Sequence, residues 1–374
     1  MPEPSLPDSR VYLDHNASAP LRPEAAAAMV DTLALVGNPS SVHAEGRALR
    51  GVIDSARADV AALVGCRPGE IVFTSGATES NAQALGILGP ATIASGIEHP
   101  SICENINFSK NLKANIDGVI ELNHLAELLS DDADPSDADS RLGVAIMAAN
   151  NETGVIQLIA EAAALCRAAG ALLHVDAVQA AGRINLTRLW PDADMMALSA
   201  HKIGGPKGVG ALVVRDGLPI RPLIGGGGQE LRRRGGTENV AGIAAFGAAA
   251  RSAAAEVSAQ CDVVRRRDRL EAEMQALCAA VRIYGAAATR LPNTTCAAVQ
   301  GVSAELLLMR LDLAGIAVSA GSACSSGKVA ASPVLMAMGA SVAEARCAIR
   351  ISQGLYTTDD EIDRFLAAWR QTVC

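Results

Sequence analysis

Short apolar, β-branched runs alternate with alanine-rich stretches between about residues 70 and 214, and this rhythm sets the expected architecture. Runs at Ile71–Thr74, 91–94, Gly143–Met147, 172–175, 195–198 and Gly210–Val214 read as strands. Helical patterns lie between them, among them 80–88 and 161–169, the second closed by Gly170. Such alternation predicts an α/β fold whose mostly parallel sheet is covered by helices on both faces. Sheets of this kind bind ligands at the carboxyl ends of their strands.

From about 241 to 280 the pattern becomes one long helical region that connects two domains. Beyond Gly285, strands near 296–299 and 316–319 mix with helices at 304–312 and 359–370, which predicts a smaller α+β domain. The acidic stretch 131–139, with Pro135 inside it, reads as a solvated loop. A length of 374 residues agrees with two cores. Half of the residues are hydrophobic and 19% are charged, which excludes a disordered chain. Aromatic residues make up only 2%, so Ala, Val, Leu and Ile must build the core, and stacking platforms for single-stranded nucleic acid are not expected. The net charge of −8 argues against a general nucleic-acid or anionic-membrane surface. Met1-Pro2-Glu3-Pro4 starts no leader pattern, and no stretch approaches the roughly 18 uncharged apolar residues of a membrane helix, so the expected location is cytoplasmic. Nine cysteines are present, none closer together than Cys261 and Cys278, so no CxxC or zinc-ribbon spacing exists and most are expected to be reduced and buried.

Three segments carry candidate chemistry. Strand Ile71–Thr74 runs into Ser75-Gly76-Ala77-Thr78-Glu79-Ser80 and a helix, which offers free backbone N–H groups to an anion, although the same residues would also cap a helix. Leu172-Leu173-His174-Val175-Asp176 ends a strand on a carboxylate that can hold a heteroaromatic nitrogen protonated, or can cap the next helix. Ser199-Ala200-His201-Lys202 follows another strand at the same sheet edge and places an amine where a Schiff base can form, where a plain solvated lysine is the alternative. Together these are the protein parts that pyridoxal phosphate requires. Other patterns fail on spacing. The segment from Gly321 to Val329 has one residue too many between its glycines for a nucleotide loop and no hydroxyl after Lys328. Gly225–Gly228 lacks a dinucleotide register and reads as a turn that lets backbone approach a ligand or another chain. His43-Ala44-Glu45 has no PCxxC partner, so no metal is expected.

The order of Tyr12-Leu13-Asp14-His15-Asn16-Ala17, Gly37-Asn38-Pro39-Ser40-Ser41-Val42-His43, Ser75-Gly76-Ala77-Thr78-Glu79-Ser80-Asn81, Glu98-His99, Asn150-Asn151-Glu152-Thr153-Gly154, Ser199-Ala200-His201-Lys202, Arg234-Gly235-Gly236-Thr237-Glu238-Asn239 and Gly321-Ser322-Ala323-Cys324 resembles that of cysteine desulfurases. These belong to the class V aminotransferase group of fold-type I pyridoxal-phosphate enzymes. The resemblance extends from about Val11 to Ile349-Arg350-Ile351-Ser352 and the 357–363 segment. It implies a large cofactor-binding domain over 15–250 and a small domain of 1–14 with 251–374 that carries the nucleophilic cysteine loop. By the same resemblance Lys202 would hold pyridoxal 5'-phosphate, Asp176 would pair with its ring nitrogen, and His99 would stack on the ring and move protons. Asn151 and Gln179 would contact its phenolic oxygen region; Ala77, Thr78, Ser199 and His201 would hold its phosphate, joined by Thr237 of the neighbouring subunit in a homodimer. Arg350, with Asn151, would take the carboxylate of L-cysteine. Cys324 would attack the substrate sulfur and become a persulfide, leaving alanine, and would deliver sulfur to an iron–sulfur scaffold or other acceptor protein. A selenocysteine lyase, an aminotransferase of the same fold and a non-catalytic sulfur carrier are the rival readings. The chain departs from the common pattern at His15, where many members have Tyr, at Gly235, where many have Ser, and at Gln353-Gly354-Leu355-Tyr356, where many have Leu-Gly-Arg-Phe.

Overall fold

The computed structural model describes residues 10–106, 110–130, 142–321 and 330–373. The chain opens with β1 (Val11–Tyr12), α1 (Pro23–Leu33) and α2 (Ala44–Val64). The alternating region follows as β2 (Ile71–Thr74), α3 (Ala77–Leu88), β3 (Ile93–Ser95), α4 (Pro100–Cys103), β4 (Asn111–Leu112), α5 (Leu122–Ser130), β5 (Gly143–Met147), α6 (Ile159–Ala168), β6 (Leu172–Asp176), β7 (Met195–Ser199) and β8 (Gly210–Val214). Its strands form one seven-stranded sheet in the order β2-β8-β7-β6-β5-β3-β4. The sheet is parallel except at β8, which runs antiparallel to both β2 and β7. Strands β2, β5, β7 and β8 are buried along their whole length, which is why they read as unbroken apolar runs.

The third strand begins two residues later than its apolar run, because the Thr92 hydroxyl donates to Gly89 O across a turn at 90–91. The long helical region is two helices, α7 (Val240–Glu256) and α8 (Cys261–Leu277), with a single 3-10 turn at Val257–Ala259 between them. There the Gln260 amide donates to Glu256 O and Gly182 O. The stretch Val240–Ala259 is long and apolar enough to cross a membrane by length and composition, contrary to expectation, since only Arg251 and Glu256 interrupt it. Here half of it is buried, and its main partners are α2 and α1. A Cβ added at Gly247 would lie 2.6 Å from Ala56 Cα, so small residues let these two helices touch backbone to backbone and replace the aromatic bulk that the chain lacks.

The remainder comprises β9 (Val281–Ile283), β10 (Thr294–Val299), α9 (Ala304–Leu313), β11 (Ile316–Ala317), β12 (Ser319–Ala320), α10 (Pro333–Ala337), α11 (Val342–Ala345), β13 (Ala348–Ser352) and α12 (Asp359–Val373). An antiparallel sheet in the order β12-β13-β10-β9 faces α8, α9 and α12. β1 pairs parallel with β11, so Val11 and Leu13 enter the core of Leu270, Leu311, Ile349, Phe365 and Trp369. The N-terminal strand therefore packs against the C-terminal third of the chain. The expected strand at 316–319 is two strands of two residues each, β11 and β12.

Glu230, Leu231 and Arg232 all have positive φ (45°, 56° and 65°), a strained left-handed turn. It is held by Glu230, whose buried carboxylate accepts two hydrogen bonds from Arg57 at 2.6 and 2.8 Å and one from Phe73 N at 2.9 Å. Glu230→Ala leaves Arg57 without its counter-ion and should cost about 3–5 kcal/mol, read as a lower urea midpoint. Arg251→Ala breaks an exposed pair with Asp59 and should cost under about 1 kcal/mol; equal shifts would show that the Glu230 clamp carries no special weight.

Candidate active site

The functional side chains meet at one edge of the large sheet because β5, β6 and β7 run parallel in register, Met147 beside Asp176 and Asp176 beside Ala197. β6 ends on Asp176 and β7 on Ser199, after which a 3-10 turn carries Ala200, His201 and Lys202. Asp176 is buried; its Oδ1 accepts from Val178 N at 3.0 Å and its Oδ2 from Asn81 Nδ2 at 2.8 Å. One oxygen thus caps the following turn, and the other is held by Asn81.

Lys202 Nζ donates to the carbonyls of Asn16 (2.6 Å) and Ala17 (2.9 Å). Burial, followed by the positive fields of Arg350 and Arg183, pulls its pKa down to about 8 against the opposite pull of Asp176 and Asp14. Arg350 sits on β13 of the smaller sheet; its Nη2 donates to Asp14 Oδ1 at 2.8 Å and its Nη1 to Asn151 O at 3.0 Å. His99 is the N-cap of α4, and its Nδ1 accepts from Ser101 N at 3.1 Å. Its pKa lies below the ordinary histidine value, chiefly through loss of water, with Lys202 acting in the same direction and Asp176 opposing.

Ala77 and Thr78 are the first two residues of α3, where backbone N–H groups lack intrahelical partners. A Cβ at Gly210 would lie 2.7 Å from Gly76 backbone, so β8 presses directly on the turn that leads into this helix. Ser199 is buried and His201 Nδ1 lies 3.3 Å from Ser18 Oγ. Burial, then Lys202 and Lys207, lower the His201 pKa to about 4, so it is neutral. Gln179 is engaged by the protein at both ends: its Nε2 donates to Asn16 O, and its Oε1 accepts from Arg183 Nη1. Thr237 is exposed, and its side chain has no hydrogen bond among the described residues. Its segment is tied to α3 by Arg234, which donates to Glu79 at 2.9 and 3.3 Å. Gly225–Gly228 approaches that same segment: a Cβ at Gly235 would lie 2.7 Å from Gly226, so no larger residue fits at 235 without a shift of backbone.

Cys324 lies outside the described residues. Just before it, a Cβ at Gly321 would collide with Glu152 Oε2, and just after it Ser332 Oγ donates to that same oxygen at 2.5 Å. Four other cysteines are poor thiolate candidates: burial pushes Cys66, Cys103 and Cys166 up to about 12, and Cys296 upward also. Sequence reasoning gave no role to Asn16, Asn81, Asp14 or Glu152. Each lies inside a motif already singled out, but only the fold reveals that Asn16 accepts from Lys202 and Gln179 and donates to Thr294 Oγ1.

The residues fit a phosphorylated pyridine aldehyde. An amine of lowered pKa, a buried carboxylate and a helix N-terminus share one edge, and two buried polar atoms beside them, Asn151 Oδ1 and Arg350 Nε, have no partner among the described residues.

The aminotransferase class-V family model matches residues 11–365. A cysteine desulfurase of Cereibacter sphaeroides is 40% identical over 375 residues, covering 96% of this chain and 94% of that one. The cysteine desulfurase IscS of Dictyoglomus turgidum is 39% identical, covering 94% and 92%. Among solved structures, a NifS-like protein from Rickettsia africae superposes with a TM-score of 0.89 at 34% identity, covering 97% of this chain and 99% of its own. The chain belongs to the class-V aminotransferase family and, within it, to the cysteine desulfurases.

A pKa of about 8 means that Lys202 reacts as a free amine well below the ordinary lysine range. Acylation of Lys202 in cofactor-free protein, followed by peptide mass spectrometry across pH, should reach half its maximal rate near pH 8. A midpoint above about pH 10, the model-peptide value, would refute the depressed pKa.

Proposed function

We propose that this protein is a pyridoxal-phosphate-dependent L-cysteine desulfurase that leaves alanine and places the sulfur on Cys324 as a persulfide. The observation that carries the reading is the convergence of Lys202, Asp176 and the α3 N-terminus at one sheet edge, with Arg350 brought to it from the smaller sheet. Ala77, Thr78, Ser199 and His201 would hold the phosphate, Asp176 the ring nitrogen, and Lys202 the carbonyl carbon. When bound, the cofactor supplies an electron sink for negative charge at the substrate Cα.

The protein's own part follows from its geometry. Lys202, partly unprotonated at neutral pH, can accept and return a proton at Nζ. Arg350 is oriented by Asp14 and Asn151 O with its Nε still free, so a carboxylate can dock without displacing the ion pair. His99, with Nδ1 occupied, offers its Nε2 for proton transfer. In the sulfur step the Cys324 thiolate forms an S–S bond to the substrate sulfur while the Cβ–S bond breaks. That electron pair stays on carbon and is protonated, so cysteine plus thiol gives alanine plus persulfide without an external oxidant.

A homodimer in which Thr237 reaches the neighbouring site is part of the proposal. Its support is the exposure of Thr237 and of apolar Leu223, Ile224 and Leu231 near it in the chain. The acceptor is an iron–sulfur scaffold or another sulfur-accepting protein. The seven described cysteines are free thiols, which supports a reducing, cytoplasmic setting.

Purified holoenzyme given L-cysteine should release alanine and retain one reducible sulfur on the Cys324 peptide. Cys324→Ser should still take up the cofactor and change its absorbance with L-cysteine, yet release alanine more slowly by orders of magnitude. Alanine at the wild-type rate from Cys324→Ser would overturn the persulfide mechanism, and a keto-acid product would indicate an aminotransferase. Mixing Thr237→Ala with Lys202→Ala protein should restore partial activity through hybrid dimers, and an active monomer would refute the shared site.

A further inference from the structure

The geometry points to Asn81 as a positioning residue that links Asp176 to His99 through Ser101 and fixes which nitrogen of His99 carries the proton. This deepens the proposed function, on which the roles of Asp176 and His99 rest.

Asn81 lies in the second turn of α3 and is completely buried. Its amide meets three groups: Asp176 Oδ2 at 2.8 Å, Ser101 Oγ at 2.9 Å and His174 Nε2 at 2.8 Å. A carboxylate only accepts, so the atom facing Asp176 is Nδ2. The same Nδ2 reaches Ser101 Oγ with its second hydrogen, so that hydroxyl oxygen is an acceptor there and its one proton must go elsewhere. Its other neighbour is His99 Nδ1 at 2.8 Å. The backbone N–H of Ser101 points at His99 Nδ1 as well, at 3.1 Å. Two donors on one ring nitrogen require a lone pair on it, which leaves the proton of neutral His99 on Nε2. The remaining amide atom, Asn81 Oδ1, accepts from His174 Nε2–H. Burial lowers the His174 pKa to about 4, so that ring stays neutral and can serve as a fixed donor.

The polarity of the chain is therefore set at one end by a carboxylate and at the other by a backbone N–H, with Asn81 as the turning point. A reversed amide would place an oxygen against Asp176 and leave His174 Nε2–H facing an amide N–H. The consequence for proton transfer is specific: neutral His99 presents an N–H donor at Nε2, while Asp176 Oδ2 keeps its hydrogen bond from Asn81.

The test reads the tautomer directly. The chain has six histidines, so 15N-histidine magic-angle-spinning spectra of cofactor-loaded and cofactor-free protein can be assigned with a His99→Gln control. In wild type, the His99 Nδ1 should show the shift of an unprotonated nitrogen and Nε2 that of a protonated one. Asn81→Ala and Ser101→Ala should both introduce a population with the proton on Nδ1, whereas Ser101→Thr, which keeps the hydroxyl, should retain the wild-type spectrum. In turnover with L-cysteine, Asn81→Ala should lower kcat by about 10²-fold, the scale of one proton-transfer group, with KM changed less than about threefold. A wild-type His99 protonated on Nδ1, or substituted proteins that keep the wild-type tautomer, would overturn the assignment, and Ser101→Ala decides alone if Asn81→Ala fails to fold. The spectra do not depend on sulfur release, so loss of the desulfurase reading and loss of this one are seen separately.

Discussion

Two buried cations, Arg183 and Arg350, lie close enough to the half-buried Lys202 for their charges to oppose its own, and the site is arranged around that repulsion. Arg350 and Arg183 both lower the Lys202 pKa, and Arg350 also lowers that of Arg183, which burial brings to about 10. Of the three, only Arg350 has a carboxylate partner within ion-pair distance among the described residues, Asp14. Arg183 instead donates to carbonyl and amide oxygens of Gln179 and, at 3.4 Å, to His15 O. A chain of net charge −8 thus gathers three cations at one place in its interior. Holding like charges together there is costly, and it depresses the amine pKa.

Parallel strands ending in register make this concentration of charge possible. They deliver Asp176 and Lys202 to one edge, while β13 of the smaller sheet brings Arg350 and β1 leads into Asp14. Asn16 then ties the parts together, since it bonds Lys202, Gln179 and Thr294 at once and its own N–H donates to Ser352 Oγ. Contacts across the two sheets, rather than within either one, define the shape of the candidate site.

Much of this was legible in the sequence because local patterns suffice for it. The strand ends carrying Asp176 and Lys202, the helix start at Ala77 and most strand boundaries follow from apolar runs and their punctuation. The antiparallel direction of β8 was not legible, since Gly-Ala-Leu-Val-Val looks the same in either direction and pairing is decided by β2 and β7. The break at 257–259 was missed because no glycine or proline marks it; a distant carbonyl, Gly182 O, helps to hold it. The roles of Asn16 and Asn81 were equally hidden. Both sit within recognised motifs, yet what each amide bonds lies from 20 to 278 residues away in the chain. The Thr237 segment shows a different limit, for the partner proposed for it lies outside this chain.

One feature of α3 bears on how such a protein can change over time. Within five consecutive residues the helix presents Ala77 and Thr78 at its open end, binds Arg234 through Glu79, and reaches Asp176 and Ser101 through Asn81. Each helical residue is rotated by about 100° from the last, so inserting or deleting one residue before Asn81 would turn every one of these groups away from its target together. A substitution here alters one contact at a time, whereas a change of length alters several at once. The segment behaves as an indivisible unit of inheritance, while exposed loops elsewhere are free to grow or shrink.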